Sequence, residues 1–309
     1  GLVVIKAEDH NKTNMIGKIL IITGFISYLI NNITNTNITW TVPDVPIPAG
    51  NLQIVSGTGG YDVTVYNRTA AKADKWVAEY AGAKADTPAD AAKGCDFVFA
   101  CVGDDKDIAS VTTGPDGAFK TMRADSVFID NTTASADIAR VLYDAARDRG
   151  LHFIDAPVSG GVARAKTGDL MIMAGGDEKI LEEVNDLLSV MGKVQFAGPL
   201  GSGHAIKALN NYVSAAGLIS SFEALATARS FGIKPENFLK IINGATGKNN
   251  TTEVKLDKFV ISEKFNSGFA LDLMVKDVTI ANSLVRDLSS DKPFSNDVLS
   301  HLSKSLKAL

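Results

Sequence analysis

The chain has 309 residues, 45% of them apolar, and a formal net charge of -4. That supplies enough apolar material for two globular domains, and the mild acidity gives no support for a nucleic-acid surface. Cys95 and Cys101 flank one apolar run and cannot bridge within a single extended strand, so they read as reduced interior thiols of an intracellular protein. The cytoplasm is the expected compartment, with an organelle still open.

Residues 1–56 have a texture of their own. Asn, Ile and Thr dominate, as in Ile30 to Thr39, and Pro43, Pro46 and Pro48 punctuate the residues after that run. The apolar run from Ile19 to Ile30 is too short to span a bilayer and lies too far in for a tidy signal peptide, so no membrane is expected as a partner. A buried strand near Lys18 to Ile22 is compatible with the pattern. Sequons such as Asn32-Ile33-Thr34 arise by chance in so Asn- and Thr-rich a stretch.

From Gly60 the pattern becomes regular. Tyr61 to Asn67 alternates as a strand does and ends at Asn67-Arg68-Thr69. Lys72 to Ala81 has a helical pattern, and Thr87-Pro88 opens a further short helix. Cys95 to Val102 is a continuous apolar run suited to a parallel strand buried on both faces, leading into Gly103-Asp104-Asp105. Ser126 to Asp130 repeats that pattern and ends at Asn131-Thr132-Thr133. A helix follows from Ala134 to Gly150, closed by its glycine. Leu151 to Asp155, Leu170 to Ala174 and Val194 to Phe196 supply more strands around a helix from Glu178 to Met191.

This alternation predicts an α/β fold: a doubly wound, mostly parallel Rossmann-like sheet followed by an all-helical C-terminal domain. A ligand crevice belongs at the carboxyl ends of the strands, where Asn67, Gly103, Thr132 and Ser159 all fall. The boundaries expected are a divergent segment at 1–56, a dinucleotide-binding domain at 57–197 and a helical substrate and oligomerisation domain at 198–309.

The helical domain opens on a long run, Gly201 to Phe231, entered through Gly-Ser-Gly. At helical spacing Lys207, Asn210, Asn211 and Ser214 share one face, and nearly everything around them is apolar or small. Such a helix is expected to be largely buried, and its narrow polar stripe then needs solvent, other side chains or a ligand as partner. Pro235 to Asn243, Thr252 to Ser262, Ala270 to Leu288 and Pro293 to Leu306 complete the helices.

Two motifs together carry a resemblance. Asp-Ala-Pro-Val-Ser-Gly-Gly at 155–161, followed by Gly-Ser-Gly-His-Ala-Ile-Lys-Ala-Leu-Asn-Asn at 201–211, resembles the β-hydroxyacid dehydrogenase family, in register from about Gly60 to Leu288. The resemblance implies hydride transfer between NADP or NAD and a small 3-hydroxy acid or semialdehyde, such as 3-hydroxyisobutyrate. Glyoxylate, succinic semialdehyde or tartronate semialdehyde reduction is the nearest alternative, and a non-catalytic binding or assembly protein is a rival of another class.

It also implies roles: Lys207 and Asn211 catalytic, Ser159, Gly160, Gly161 and Asn210 at the substrate, and Asn67, Arg68, Thr69, Val102, Thr132, Thr133 and Lys276 at the cofactor. Asn67-Arg68 is compatible with a 2′-phosphate and tilts the cofactor toward NADP. Family members are commonly homodimers or homotetramers. Lys207 argues against the imine-reductase branch, and the chain is too short for the enlarged helical domain of 6-phosphogluconate dehydrogenase. Lys276 and Asp277, adjacent on a helix, read equally well as surface charges. A plain strand-end turn serves as well for Thr132-Thr133.

The family's first strand runs into a glycine-rich turn, and here that turn is not recognisable. Gly24 lacks the further glycines, and Ser56-Gly57-Thr58-Gly59-Gly60 leads straight into a strand. The first βα unit is therefore expected to be replaced, through a gene-model or frame error or through genuine divergence.

Overall fold

The computed structural model describes residues 2–5, 18–23, 62–79, 82–264, 267–288 and 293–308. Gly24 and Ser56 to Gly60 lie outside them. The chain divides into two compact units, Gly1–Lys207 and Ala208–Leu309.

The first unit is built on one sheet: β1 (Leu2–Ile5), β2 (Lys18–Thr23), β3 (Asp62–Tyr66), β4 (Ala83–Lys84), β5 (Phe97–Cys101), β6 (Val127–Asp130), β7 (His152–Asp155), β8 (Val158–Ser159), β9 (Leu170–Gly175) and β10 (Gly192–Gly198). Its order is β10-β9-β7-β6-β5, then β1 and β2, then β3-β4, with β8 paired to β9 off that path. Pairing is parallel for β5 with β6, β6 with β7, β2 with β5, β3 with β4 and β9 with β10. It turns antiparallel where β7 meets β9, at Asp155 opposite Gly175. β1 registers antiparallel against β5 and β3, whereas β2 registers parallel against the same two strands.

The apolar runs of β5, β6 and β7 are buried on both faces, as strands covered by helices on each side must be. Alternate side chains feed two cores: Phe99, Ile129 and Ile154 enter one, and Val98, Phe128 and Phe153 enter the other. Phe128 stacks on Phe153 with ring centroids 5.7 Å apart. Both cysteines are buried and free.

Two helices go beyond what the sequence pattern predicts. After the Gly103-Asp104 bend, Asp104 caps a helix at Asp105–Thr112 by accepting from the Lys106 and Asp107 amides. A six-residue helix, Gly161–Lys166, follows the Ser159-Gly160 bend. Ser135 caps the helix Ala136–Arg147, and Gly150 closes its end at φ 67°.

The second unit is helical throughout its described residues. Ser202–Phe231 spans the division between units and is followed by Pro235–Asn243, a π-helical stretch at Thr251–Ile261, Leu271–Leu288 and Ser295–Lys307. Met274, Val278, Val298 and Leu302 pack with Ala215 in one cluster, and Leu225, Phe238, Leu239 and Leu256 in another. The long helix is not buried all round: Ala208, Ala215 and Leu225 are, whereas Val213 is 67% exposed and Ile206 and Phe222 are also open. Its apolar residues cover more of the circumference than the packing surfaces of this chain enclose.

Candidate active site

The carboxyl ends of β3, β5, β6 and β7 bring several candidate residues to one edge of the sheet. At the end of β3, Asn67 Oδ1 accepts the Thr69 amide at 2.9 Å, an Asx turn that fixes the tripeptide. Arg68 is largely exposed, and its Nη1 lies 2.9 Å from Asp107 Oδ1. Asp107 also accepts from the Gly103 amide at 3.3 Å, so the guanidinium is tied to the loop that ends β5.

Thr132 differs from what the resemblance implies. Its side chain has no exposed surface, and its hydroxyl accepts the Val102 amide at 3.1 Å. Its hydroxyl thereby holds the Val102 loop. Thr133, half-buried, stands beside it.

The Ser159 bend is made by glycine. Gly160 has φ 136° and Gly161 φ 63°, both in the region L side chains avoid. Gly160 is also crowded: a Cβ there would come within 2.7 Å of Arg164 Cβ. The bend thereby exposes backbone at the start of a short helix.

Gly201 and Gly203 explain how the long helix enters. Gly201 carries no side chain to cap it, and the cap comes from the last residue of β7. Asp155 Oδ1 accepts from the Gly201 amide at 2.8 Å and Oδ2 from the His204 amide at 2.9 Å. Gly203 allows the backbones to touch, since a Cβ there would lie 2.3 Å from the Met173 carbonyl oxygen. His204, fully buried, places Nε2 3.2 Å from Asp130 Oδ2. Asp130 Oδ1 in turn accepts the Thr132 amide at 2.9 Å, and Asn131 donates to the Ala156 carbonyl at 2.6 Å.

Burial raises the Asp155 pKa, and the His204 charge and the two amide donors only partly offset it. Burial lowers that of His204, but the hydrogen bond to Asp130 and the charges of Asp130, Asp155 and Asp105 prevail and raise it. One turn after His204, Lys207 is 8% exposed, sequestered as its apolar surroundings in sequence require.

In the second unit a polar chain runs through four side chains. Asn210 donates to Asn211 Oδ1 at 3.0 Å, Asn211 donates to Asp277 Oδ2 at 2.5 Å, and Lys276 Nζ lies 2.9 Å from Asp277 Oδ1. Asp277 is buried, so the Lys276-Asp277 pair is not a surface pair. Asp130, Asp155 and His204 are not singled out by the sequence pattern, and Asp277 is named there only as the neighbour of Lys276. A signal for Asp155 is nonetheless present: a helix entered through Gly-Ser-Gly has no cap of its own and demands an acceptor from elsewhere.

These features describe a dinucleotide-binding α/β fold: a mostly parallel sheet with loops at its carboxyl edge, followed by a helix carrying a buried lysine. Residues 51–201 match the NAD binding domain of 6-phosphogluconate dehydrogenase, and residues 201–308 match the NAD-binding domain of NADP-dependent 3-hydroxyisobutyrate dehydrogenase. The chain belongs to the β-hydroxyacid dehydrogenase family, whose members are NAD(P)-dependent and act on CH–OH groups.

It is 39% identical to an uncharacterized oxidoreductase of Shewanella frigidimarina over 76% of this chain and 80% of that one. It is 32% identical to the NAD-dependent L-serine dehydrogenase of Pseudomonas aeruginosa over 78% and 83%. The structure of Mycobacterium tuberculosis 3-hydroxyisobutyrate dehydrogenase with L-serine superimposes with a TM-score of 0.73 at 27% identity, covering 81% of this chain and 87% of that one. Among the described residues no helix is long and apolar enough to cross a membrane.

Proposed function

We propose that this chain oxidises a small 3-hydroxy acid of the 3-hydroxyisobutyrate type to its semialdehyde, and reduces it back, with Lys207 moving the proton. The bound nicotinamide supplies the hydride acceptor or donor, so the protein's tasks are to orient the substrate and move one proton. The observation that carries the reading is the burial of Lys207 on a helix whose entry is hydrogen-bonded to the strand leading into the Ser159-Gly160-Gly161 bend.

In the reducing direction the ammonium donates to the carbonyl oxygen as it becomes hydroxyl. Ser159 and the backbone of Gly160 and Gly161 suit a carboxylate, with open amides and a hydroxyl at a helix start. Asn210 and Asn211 offer uncharged polar contacts, and Asp277 fixes the Asn211 amide. Asn67, Arg68 and Thr69 hold the adenosine end of the cofactor, with NADP favoured by Arg68. The loop at Val102 and Gly103, its amides held by Thr132 and Asp107, lies at the carboxyl edge of the sheet, where a dinucleotide fits. Thr133 adds to those contacts, and Thr132 acts through the Val102 loop.

Exposed Val213, Phe222 and Phe231 along the long helix favour a homodimer or homotetramer, which light scattering measures directly. The test of the activity has two parts. Wild type is expected to saturate with NADPH, read by fluorescence, and to turn over 3-hydroxyisobutyrate. Lys207→Ala keeps cofactor affinity within about threefold and loses turnover by about a thousandfold or more. A fully active Lys207→Ala overturns the assignment.

A further inference from the structure

Three segments that carry candidate site residues meet at one buried polar cluster. Asp130 ends β6 immediately before Asn131-Thr132-Thr133, Asp155 ends β7 four residues before Ser159, and His204 lies one helical turn before Lys207. None of the three side chains has exposed surface. The contacts of the cluster tie separate segments together: Asp155 to the helix entry, His204 to Asp130, and Asn131 to the strand exit at Ala156, while Asp130 also holds the Thr132 amide of its own loop.

A purely structural anchor at this place has no need of two carboxylates and an imidazole. Burying such groups is expensive, and well-packed apolar residues commonly stabilise as well or better. What directional bonds add is a single arrangement of helix against sheet, because each donor has one acceptor and a fixed angle. Glycine at 175 and 203 keeps the helix close enough for those bonds: a Cβ at Gly175 would sit 2.7 Å from Asp155 Oδ1.

We propose that His204, its ring against Asp130 and its backbone amide on Asp155, is a positioning residue that sets the helical turn bearing Lys207 against the Ser159–Gly161 bend. The consequence for catalysis rests on the reading of Lys207 as the proton carrier; the positioning itself can be measured without turnover. A side chain three residues before Lys207 shares its helix face, so a shift of the His204 contact carries the lysine with it. Displacement of about 1 Å is enough to cost about a hundredfold in rate.

The experiment compares the full chain with His204→Leu, which removes the donor to Asp130, and His204→Gln, which keeps an N–H donor. Competitive acetylation by acetic anhydride, read by mass spectrometry at the peptide holding Lys207, needs neither substrate nor cofactor. The expected result is a change of about threefold or more in the Lys207 labelling rate in His204→Leu, with half-buried Lys255 unchanged and with His204→Gln close to wild type. In assays with NADP and 3-hydroxyisobutyrate, kcat falls about tenfold or more in His204→Leu while KM stays within about threefold.

Wild-type labelling of Lys207 in a folded His204→Leu overturns the proposal, as does a His204→Gln no better than His204→Leu. If His204→Leu fails to fold by circular dichroism, Asp130→Asn is judged by the same labelling criterion. An inactive wild type defeats the dehydrogenase assignment, and the labelling comparison then decides the positioning role by itself.

Discussion

The Asn211 amide donates to Asp277 Oδ2 at 2.5 Å, and Lys276 holds the other oxygen of the same buried carboxylate. A single acid thus fixes an amide on one helix and a cation on another within the second unit. Removing it in Asp277→Ala strands a buried donor, which costs about 1–3 kcal/mol of stability. The same change is expected to lower kcat by about tenfold to a hundredfold, because Asn211 no longer has one orientation. Asp277→Asn keeps an acceptor for Asn211 but drops the charge facing Lys276, so it should retain more turnover and leave binding of the anionic cofactor unchanged or tighter. Steady-state kinetics and cofactor titration of the pair separate the two effects.

The two glycines of the long helix should respond in opposite senses. At Gly203 an added methyl meets the Met173 and Asp155 carbonyl oxygens at 2.3 and 2.6 Å, backbone atoms that cannot swing aside. Gly203→Ala is expected to destabilise by about 2 kcal/mol or more. At Gly217 the nearest atoms are those of the Asn249 side chain at 3.6 Å, an ordinary contact. Gly217→Ala should be neutral or stabilising by up to about 1 kcal/mol, the helix-propensity gain. Urea denaturation of the two variants beside wild type reads both numbers.

Such contacts mark the boundary of what the sequence makes legible. β5, β6 and β7 can be read because parallel strands buried on both faces must be runs of apolar residues, whereas β4 and β8, two residues each, leave no such run. The helix Asp105–Thr112 is hard to see because it opens with charged residues and is short, although Asp104 is a cap signal. Asp130 and Asp155 look like the polar ends of strands, and nothing local ties them to His204, 74 and 49 residues away. Lys276 and Asp277 are neighbours in sequence, and only packing distinguishes a buried pair from an exposed one. Lys207 is legible through its apolar neighbours; the network that sets its helix is not.

The cluster also predicts a pH dependence of stability. Burial lowers the His204 pKa, yet the bond to Asp130 and the charges of Asp130, Asp155 and Asp105 hold it above its ordinary 6.5. The folded state therefore keeps this proton where the unfolded chain has released it. The stability it contributes is complete below pH 6.5 and declines as pH rises through the folded value. Asp155, raised above 3.8 by burial first, acts in the same direction from lower pH. The stability advantage of wild type over His204→Gln should thus be largest below pH 6.5 and shrink as pH rises above it. Denaturation midpoints that stay parallel across that rise would contradict a charged His204.

Arg68 tests the choice of cofactor. Its guanidinium is 83% exposed and pairs with Asp107 across the ends of β3 and β5, an exposed contact worth about 1 kcal/mol at most. A 2′-phosphate offers more charge and a bidentate geometry, so it competes well for the same guanidinium. Arg68→Ala is expected to weaken NADPH by about tenfold and NADH by less than about twofold. Asp107→Asn keeps an acceptor for the Gly103 amide and releases Arg68 from its rival charge, so NADPH should bind about twofold to threefold tighter. Fluorescence titrations of the two variants with both cofactors give four affinities, and equal losses of NADPH and NADH on Arg68→Ala would remove the preference for NADP.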